Sequence, residues 1–99
     1  MNSLEIVQEH LDQEEILTQF AEEAAEMAQA ALKLRRAYTG VNPTPISAKE
    51  AYQGLLEEIA DVYNCIAALG FDRGIDRMTV SRIASEKMTR WAERLEDKS

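Results

Sequence analysis

The sequence contains little cysteine, histidine, glycine or proline. Its 99 residues include one Cys, one His, four Gly and two Pro. Cys65 has no partner for an internal disulfide, and neither Cys65 nor His10 has a Cys or His neighbour at zinc-ligand spacing. Zinc and dithiol redox chemistry are therefore not indicated. We expect Cys65 in the core and interpret His10 as an ordinary surface or packing residue.

Long apolar runs are also missing, since none approaches the roughly 20 residues of a membrane span. The first residues, Met1 to Glu5, lack the basic start and apolar stretch of a signal peptide. We therefore expect a soluble, cytoplasmic protein. Its formal charge of −7 would repel a phosphate backbone, which disfavours nucleic-acid binding. An anionic ligand would need a cation as mediator.

Helical periodicity predicts an all-α fold: an antiparallel bundle of three long helices preceded by a short one. The long helices are predicted at 13–38, 47–69 and 75–95, and the short one lies within 2–11. Whether Asp12 separates the first two helices stays open. Ser47 and Glu50 form a predicted capping box, both prolines fall in the loop 38–46, and Gly70 is placed to end a helix before a turn at 72–76. We expect one domain over 1–99, with a small core that oligomerisation would complete.

The chemistry is expected in two similar acidic strings, Glu22-Glu23-Ala24-Ala25-Glu26 and Glu57-Glu58-Ile59-Ala60-Asp61. At about 100° per residue, Glu23 and Glu58 interrupt the apolar faces of their helices. Glu26 lies at the border of its apolar face, whereas Glu22 and Glu57 point towards water. The asymmetry is the same in both helices.

An ionised carboxylate on a packing face costs several kcal/mol unless it is paired or bound to metal. One interpretation is a set of salt bridges to Lys33, Arg35 or Arg36. The simpler one is a metal site. Oxygen ligands without His or Cys suit Mg²⁺ or Mn²⁺, and a di-iron bundle would require Glu-x-x-His pairs. The predicted ligands are Glu23, Glu26, Glu58 and Asp61.

The last helix is predicted to carry cations beside its apolar face. Lys87 projects from within that face, Arg94 follows it on the same side, and Arg90 lies at the edge. These side chains either extend along the bundle to reach water or contact an acid or a bound phosphate. The sequence leaves both roles open.

Together these residues make the chain resemble the MazG-like branch of the all-α NTP pyrophosphohydrolase superfamily, over most of its length. The family motif, Glu-x-x-Glu followed by Glu-x-x-Asp on the next helix, is matched by 23–26 and 58–61. The continuation Asp61-Val62-Tyr63-Asn64 and the later Lys-containing segment 86–91 also look similar. The segment 35–55 makes the separation between the motifs long for the family, so nucleotide specificity is not carried over.

The resemblance implies Mg²⁺-dependent hydrolysis of a nucleoside or deoxynucleoside triphosphate to monophosphate and pyrophosphate, in nucleotide-pool housecleaning. It implies a general base, Glu22 or Glu26, between which the sequence does not choose. It further implies a homodimer or a dimer-based homotetramer. The implied substrate-binding residues are Lys33, Asn64, Lys87 and Arg90.

Two other functions remain open from the sequence. One is a different substrate within the same superfamily, as in a dUTP diphosphatase or a phosphoribosyl-ATP pyrophosphohydrolase. The other is a non-enzymatic acidic helical module that binds a partner protein, because most charged helix residues are structural.

Overall fold

In the described part of the chain, the helices lie within a few residues of the predicted positions. A computed structural model of the protein describes residues 1–40 and 46–98, and in these ranges it contains helices and no strand, which confirms the all-α class. The helices are α1 (Ser3–His10), α2 (Gln13–Thr39), α3 (Ala48–Leu69) and α4 (Gly74–Asp97). Within the same ranges, no helix combines the length and the apolar character that a membrane span requires.

Asp12 separates α1 from α2, which answers the question that the sequence leaves open. Its carboxylate accepts a hydrogen bond from the Glu15 amide at 2.8 Å, and the Glu15 carboxylate accepts one from the Asp12 amide at 3.0 Å. This reciprocal capping box satisfies amides at the start of α2. Leu11, just before it, has extended backbone angles and ends α1. Asn2 and Glu5 form the same arrangement at the start of α1.

The predicted start and end of α3 are confirmed. The Ser47 hydroxyl accepts a hydrogen bond from the Glu50 amide at 3.1 Å and donates one to the Glu50 carboxylate at 3.3 Å. Gly70 follows the last helical residue with φ of 81°, a left-handed conformation that glycine adopts without steric cost.

The two predicted turns differ in outcome. The turn predicted before α4 at 72–76 lies earlier, at 70–73, because α4 already begins at Gly74. The proline-containing loop is described only at its ends: α2 extends to Thr39, and Gly40 caps it with φ of 68°. Pro43 and Pro45 lie outside the described residues.

The chain divides into two compact units, residues 1–69 and a second unit that begins at Gly70. In the first unit, α2 packs along α3, and α1 also contacts α3. Its buried residues, each at most 8% exposed, are Ile16, Ala51, Val62 and Cys65. Cys65 therefore lies in the core, as predicted. The complete three-helix bundle and its oligomerisation stay predictions.

A substitution of Asp12 tests whether its capping interaction stabilises the start of α2. Asp12→Ala should lower the free energy of unfolding by about 1 kcal/mol, because amides at the start of α2 lose their acceptor. Asp12→Asn retains an acceptor and should stay close to the parent. Urea unfolding followed by circular dichroism measures both, and equal stability of Asp12→Ala and the parent would contradict the capping role.

Candidate metal centre

Packing of α2 against α3 brings three of the predicted ligands together. Glu23, Glu26 and Glu58 each contribute a carboxylate oxygen, and these oxygens all lie within 4.8 Å of one another. Asp61 is outside this set, but its charge acts on both Glu23 and Glu58. We refer to Glu23, Glu26 and Glu58, with Asp61 beside them, as the acid cluster. Ligation by Asp61 stays a prediction.

Burial of the acid cluster follows the asymmetry that periodicity predicts. Glu23 and Glu58 are half-buried, whereas Glu26 and Asp61 are exposed, as is Glu22. The Oε2 atoms of Glu23 and Glu58 are inaccessible to water and have no hydrogen-bond partner. A buried carboxylate oxygen without a partner is unfavourable unless a proton or a cation compensates it.

The surroundings of Glu23 and Glu58 favour the protonated forms of these side chains more than water does. Partial removal from water is the main cause that raises the pKa of Glu23 above its ordinary value of 4.5; a hydrogen bond from Gln19 acts against it, and the charges of Glu26 and Asp61 add to it. For Glu58, removal from water again comes first among the causes that raise its pKa, followed by the neighbouring acids. No positively charged group is among the causes that shift these two pKa values, so no cation offsets burial and like charge in the acid cluster.

Salt bridges do not supply that charge in the described part of the chain. The ion pairs Arg73–Asp72 (3.6 Å) and Arg82–Glu86 (3.1 Å) both belong to the second unit. No described lysine or arginine pairs with the acid cluster, and this includes the expected partners Lys33, Arg35 and Arg36.

Gln19 belongs to the site, although the sequence analysis did not single it out. Its amide Nε2 donates a hydrogen bond to Glu23 Oε1 at 2.7 Å. The available signal was its spacing: residues four apart on a helix lie on the same face. A Gln one turn before an acid that interrupts an apolar face is a plausible partner for that acid.

A cavity of about 410 Å³ adjoins the acid cluster within the first unit. Residues of α1, α2 and α3 line it, and most are apolar. Its polar lining includes Gln19, Glu23, Asp61 and Asn64. This volume is in the range of small-molecule sites, roughly 300–1,000 Å³. Asn64, predicted to bind substrate, therefore lies on the same cavity as two of the predicted metal ligands.

Cys65 also lines this cavity but is not suited to act as a nucleophile. Burial raises the pKa of its thiol above the ordinary 9.0, and the charges of Glu23 and Asp61 raise it further. The reactive form of cysteine is the thiolate, which both effects disfavour. Cys65 therefore serves as part of the cavity wall.

The predicted cationic residues are divided between the two units. Lys33 is exposed on α2, about two turns beyond Glu26. Lys87 and Arg90 are exposed on α4 in the second unit, on the same side of the helix as Trp91 and Arg94. Their contact with a phosphate stays a prediction.

The fold and the site define an all-α protein with a half-buried cluster of carboxylates next to an apolar cavity. Comparison of the chain with protein families, curated proteins and solved structures gave no match. The functional conclusion therefore depends on the residues themselves.

The raised pKa values of Glu23 and Glu58 predict how the metal-free protein responds to pH. The folded state binds more protons than the unfolded state in the interval that begins near 4.5 and extends to the raised values. The free energy of unfolding therefore falls as the pH rises through this interval. A Glu23→Gln/Glu58→Gln variant should show a smaller fall and exceed the parent in stability at neutral pH.

Urea unfolding in the presence of a chelator, over a series of pH values, measures this difference. The matched control is Glu22→Gln/Glu57→Gln, which removes the same charge from exposed neighbours. If the free energy of unfolding depends on pH in the same way in both double variants, the half-buried carboxylates do not cause the pH dependence.

Proposed function

We propose that this chain is a Mg²⁺-dependent hydrolase that converts a nucleoside or deoxynucleoside triphosphate to the monophosphate and pyrophosphate. The observation that carries the proposal is the convergence of Glu23, Glu26 and Glu58 on one point, with two buried oxygens that lack partners. The resemblance of both acidic motifs to those of MazG-like enzymes gives the reaction class. Housecleaning of the nucleotide pool in the cytoplasm is the role that this activity suggests.

The donor set fits a hard divalent cation. All of its ligand atoms are carboxylate oxygens, which Mg²⁺ and Mn²⁺ prefer to nitrogen or sulfur. Three or four protein oxygens leave further coordination positions for water and phosphate. When bound, Mg²⁺ neutralises triphosphate charge and lowers the pKa of a coordinated water.

The cavity supports a nucleoside as the other part of the ligand. It touches Glu23 and Asp61, so a ligand with phosphates at the acid cluster can extend into it. Its apolar walls suit the faces of a base, and the amide of Asn64, which makes no hydrogen bond within the described chain, can contact the base or sugar.

Glu26 is better placed than Glu22 to act as general base. Glu26 belongs to the converging set, whereas Glu22 is an exposed neighbour outside it. A carboxylate has two oxygens, so Glu26 can offer one to the cation and accept a proton from the attacking water with the other. The water oxygen then bonds to the α-phosphorus, and the bond from this phosphorus to the pyrophosphate oxygen breaks.

Lys33, Lys87 and Arg90 are proposed to hold phosphate oxygens and to balance the charge of the leaving pyrophosphate. Lys87 and Arg90 lie three residues apart on one side of α4, so both can contact the same anion. Large apolar residues are exposed in both units, among them Leu32, Met88 and Trp91. Exposed apolar surface of this kind supports a homodimer or a dimer-based tetramer.

A magnesium titration and a product assay test the proposal. Mg²⁺ should raise the unfolding temperature by mass action. At 100 times its Kd, it should add about 2.7 kcal/mol to the free energy of unfolding. The parent should release pyrophosphate from a panel of ribo- and deoxyribonucleoside triphosphates that includes dUTP. Glu58→Gln should lower the rate by more than about 100-fold, because it removes a ligand from the cation.

The matched control is Glu57→Gln, which changes the adjacent exposed residue and should hydrolyse at the parent rate. Orthophosphate as the first product would exclude attack at the α-phosphorus. Parent-like activity of Glu58→Gln would contradict the assignment of the acid cluster. A chain that binds Mg²⁺ but hydrolyses no nucleotide would favour the non-enzymatic alternative.

The role of the cavity is tested separately through Asn64. Asn64→Ala should raise KM by up to about tenfold with little change in kcat, because it removes a hydrogen bond that holds substrate and transition state alike. Gln53→Ala is the control, an exposed amide on the same helix that does not line the cavity. An unchanged KM for Asn64→Ala would remove this residue from the substrate site.

A further inference from the structure

Gln19 joins the acid cluster to the cavity. It lies one turn before Glu23 on α2 and donates from Nε2 to Glu23 Oε1 at 2.7 Å, while its side chain also lines the cavity. An ionised carboxylate only accepts hydrogen bonds, so the amide nitrogen of Gln19, and not its oxygen, faces Glu23 in its charged form, the form that binds a cation.

The hydrogen bond distinguishes the two oxygens of Glu23. Oε1 is engaged by Gln19, whereas Oε2 is buried and has no partner. A glutamate side chain has several rotatable bonds, and a cation site requires its oxygens to be held in place before binding. From this geometry we infer that Gln19 is a positioning residue, which holds Glu23 through Oε1 and leaves Oε2 for a divalent cation.

This inference rests on the proposed metal site, but it adds a residue outside both acidic motifs. Groups that orient metal ligands commonly change metal affinity by 10–100-fold although they never touch the ion. Gln19 is exposed and does not belong to the buried core. Its loss should therefore affect cation binding more than folding.

The chain contains a matched control for Gln19. Gln53 and Glu57 on α3 have the same spacing and are both exposed, but no hydrogen bond joins them. Gln19→Met and Gln53→Met each remove a glutamine amide that lies four residues before a glutamate on its helix. Methionine keeps the chain length and the helix preference of glutamine but does not donate a hydrogen bond.

The experiment measures Mn²⁺ binding to the full chain by the electron paramagnetic resonance signal of free Mn²⁺. The measurement temperature is well below the unfolding temperatures of the parent and both variants. Gln19→Met should bind Mn²⁺ at least about tenfold more weakly than the parent. Gln53→Met should bind like the parent. In metal-free buffer, both variants should unfold within a few degrees of the parent.

Parent-like Mn²⁺ affinity of Gln19→Met would overturn the positioning role while leaving the metal site intact. Equal weakening by Gln53→Met would also overturn it, because the effect would then not be specific to Glu23. If the parent binds no Mn²⁺, the metal site and this inference both fail. If Mn²⁺ binds as described but no nucleotide is hydrolysed, the proposed function fails and the role of Gln19 stands.

Discussion

The partial burial of like-charged carboxylates at the α2–α3 contact is the constraint on which the proposed site depends. Packing the two helices together removes Glu23 and Glu58 partly from water and places Glu26 and Asp61 beside them. Burial and like charge act in the same direction, and no described cation relieves them. The pairing of α2 with α3 therefore creates an unfavourable site that a proton or a divalent cation can stabilise.

The hydrophobic core that opposes this cost is small. The buried residues described in the first unit include two small ones, Ala51 and Cys65, and none of these buried residues is aromatic. A chain with such a small core has little stability to spare. Under the proposed function, cation binding and folding are therefore coupled, because a ligand that binds only the folded state stabilises it. Removing the acids by mutation should relieve the same repulsion and abolish the binding.

Helical periodicity predicts what depends on a single helix. It identifies Glu23 and Glu58 as interruptions of apolar faces, because the angle between residues on one helix is fixed. It does not decide whether Asp12 continues or begins a helix, since that depends on the reciprocal hydrogen bonds with Glu15. The cavity beside Asn64 needs the placement of α1 against α3, which pairwise spacing does not encode. The role of the α4 cations needs contacts between elements distant in sequence.

The position of the cavity next to the acid cluster limits the ligands that the proposed site can use well. Inorganic pyrophosphate or triphosphate would meet the cation but leave the apolar cavity empty. A nucleoside triphosphate can occupy both regions, and burial of the base supplies binding energy at a distance from the reacting phosphorus. Such remote binding energy can offset the cost of orienting the α-phosphorus at the cation. Because Gln19 touches both regions, a group that fills the cavity lies against the residue that holds Glu23. Under the proposed function, occupancy of the cavity and the geometry of the cation site would therefore be coupled through Gln19.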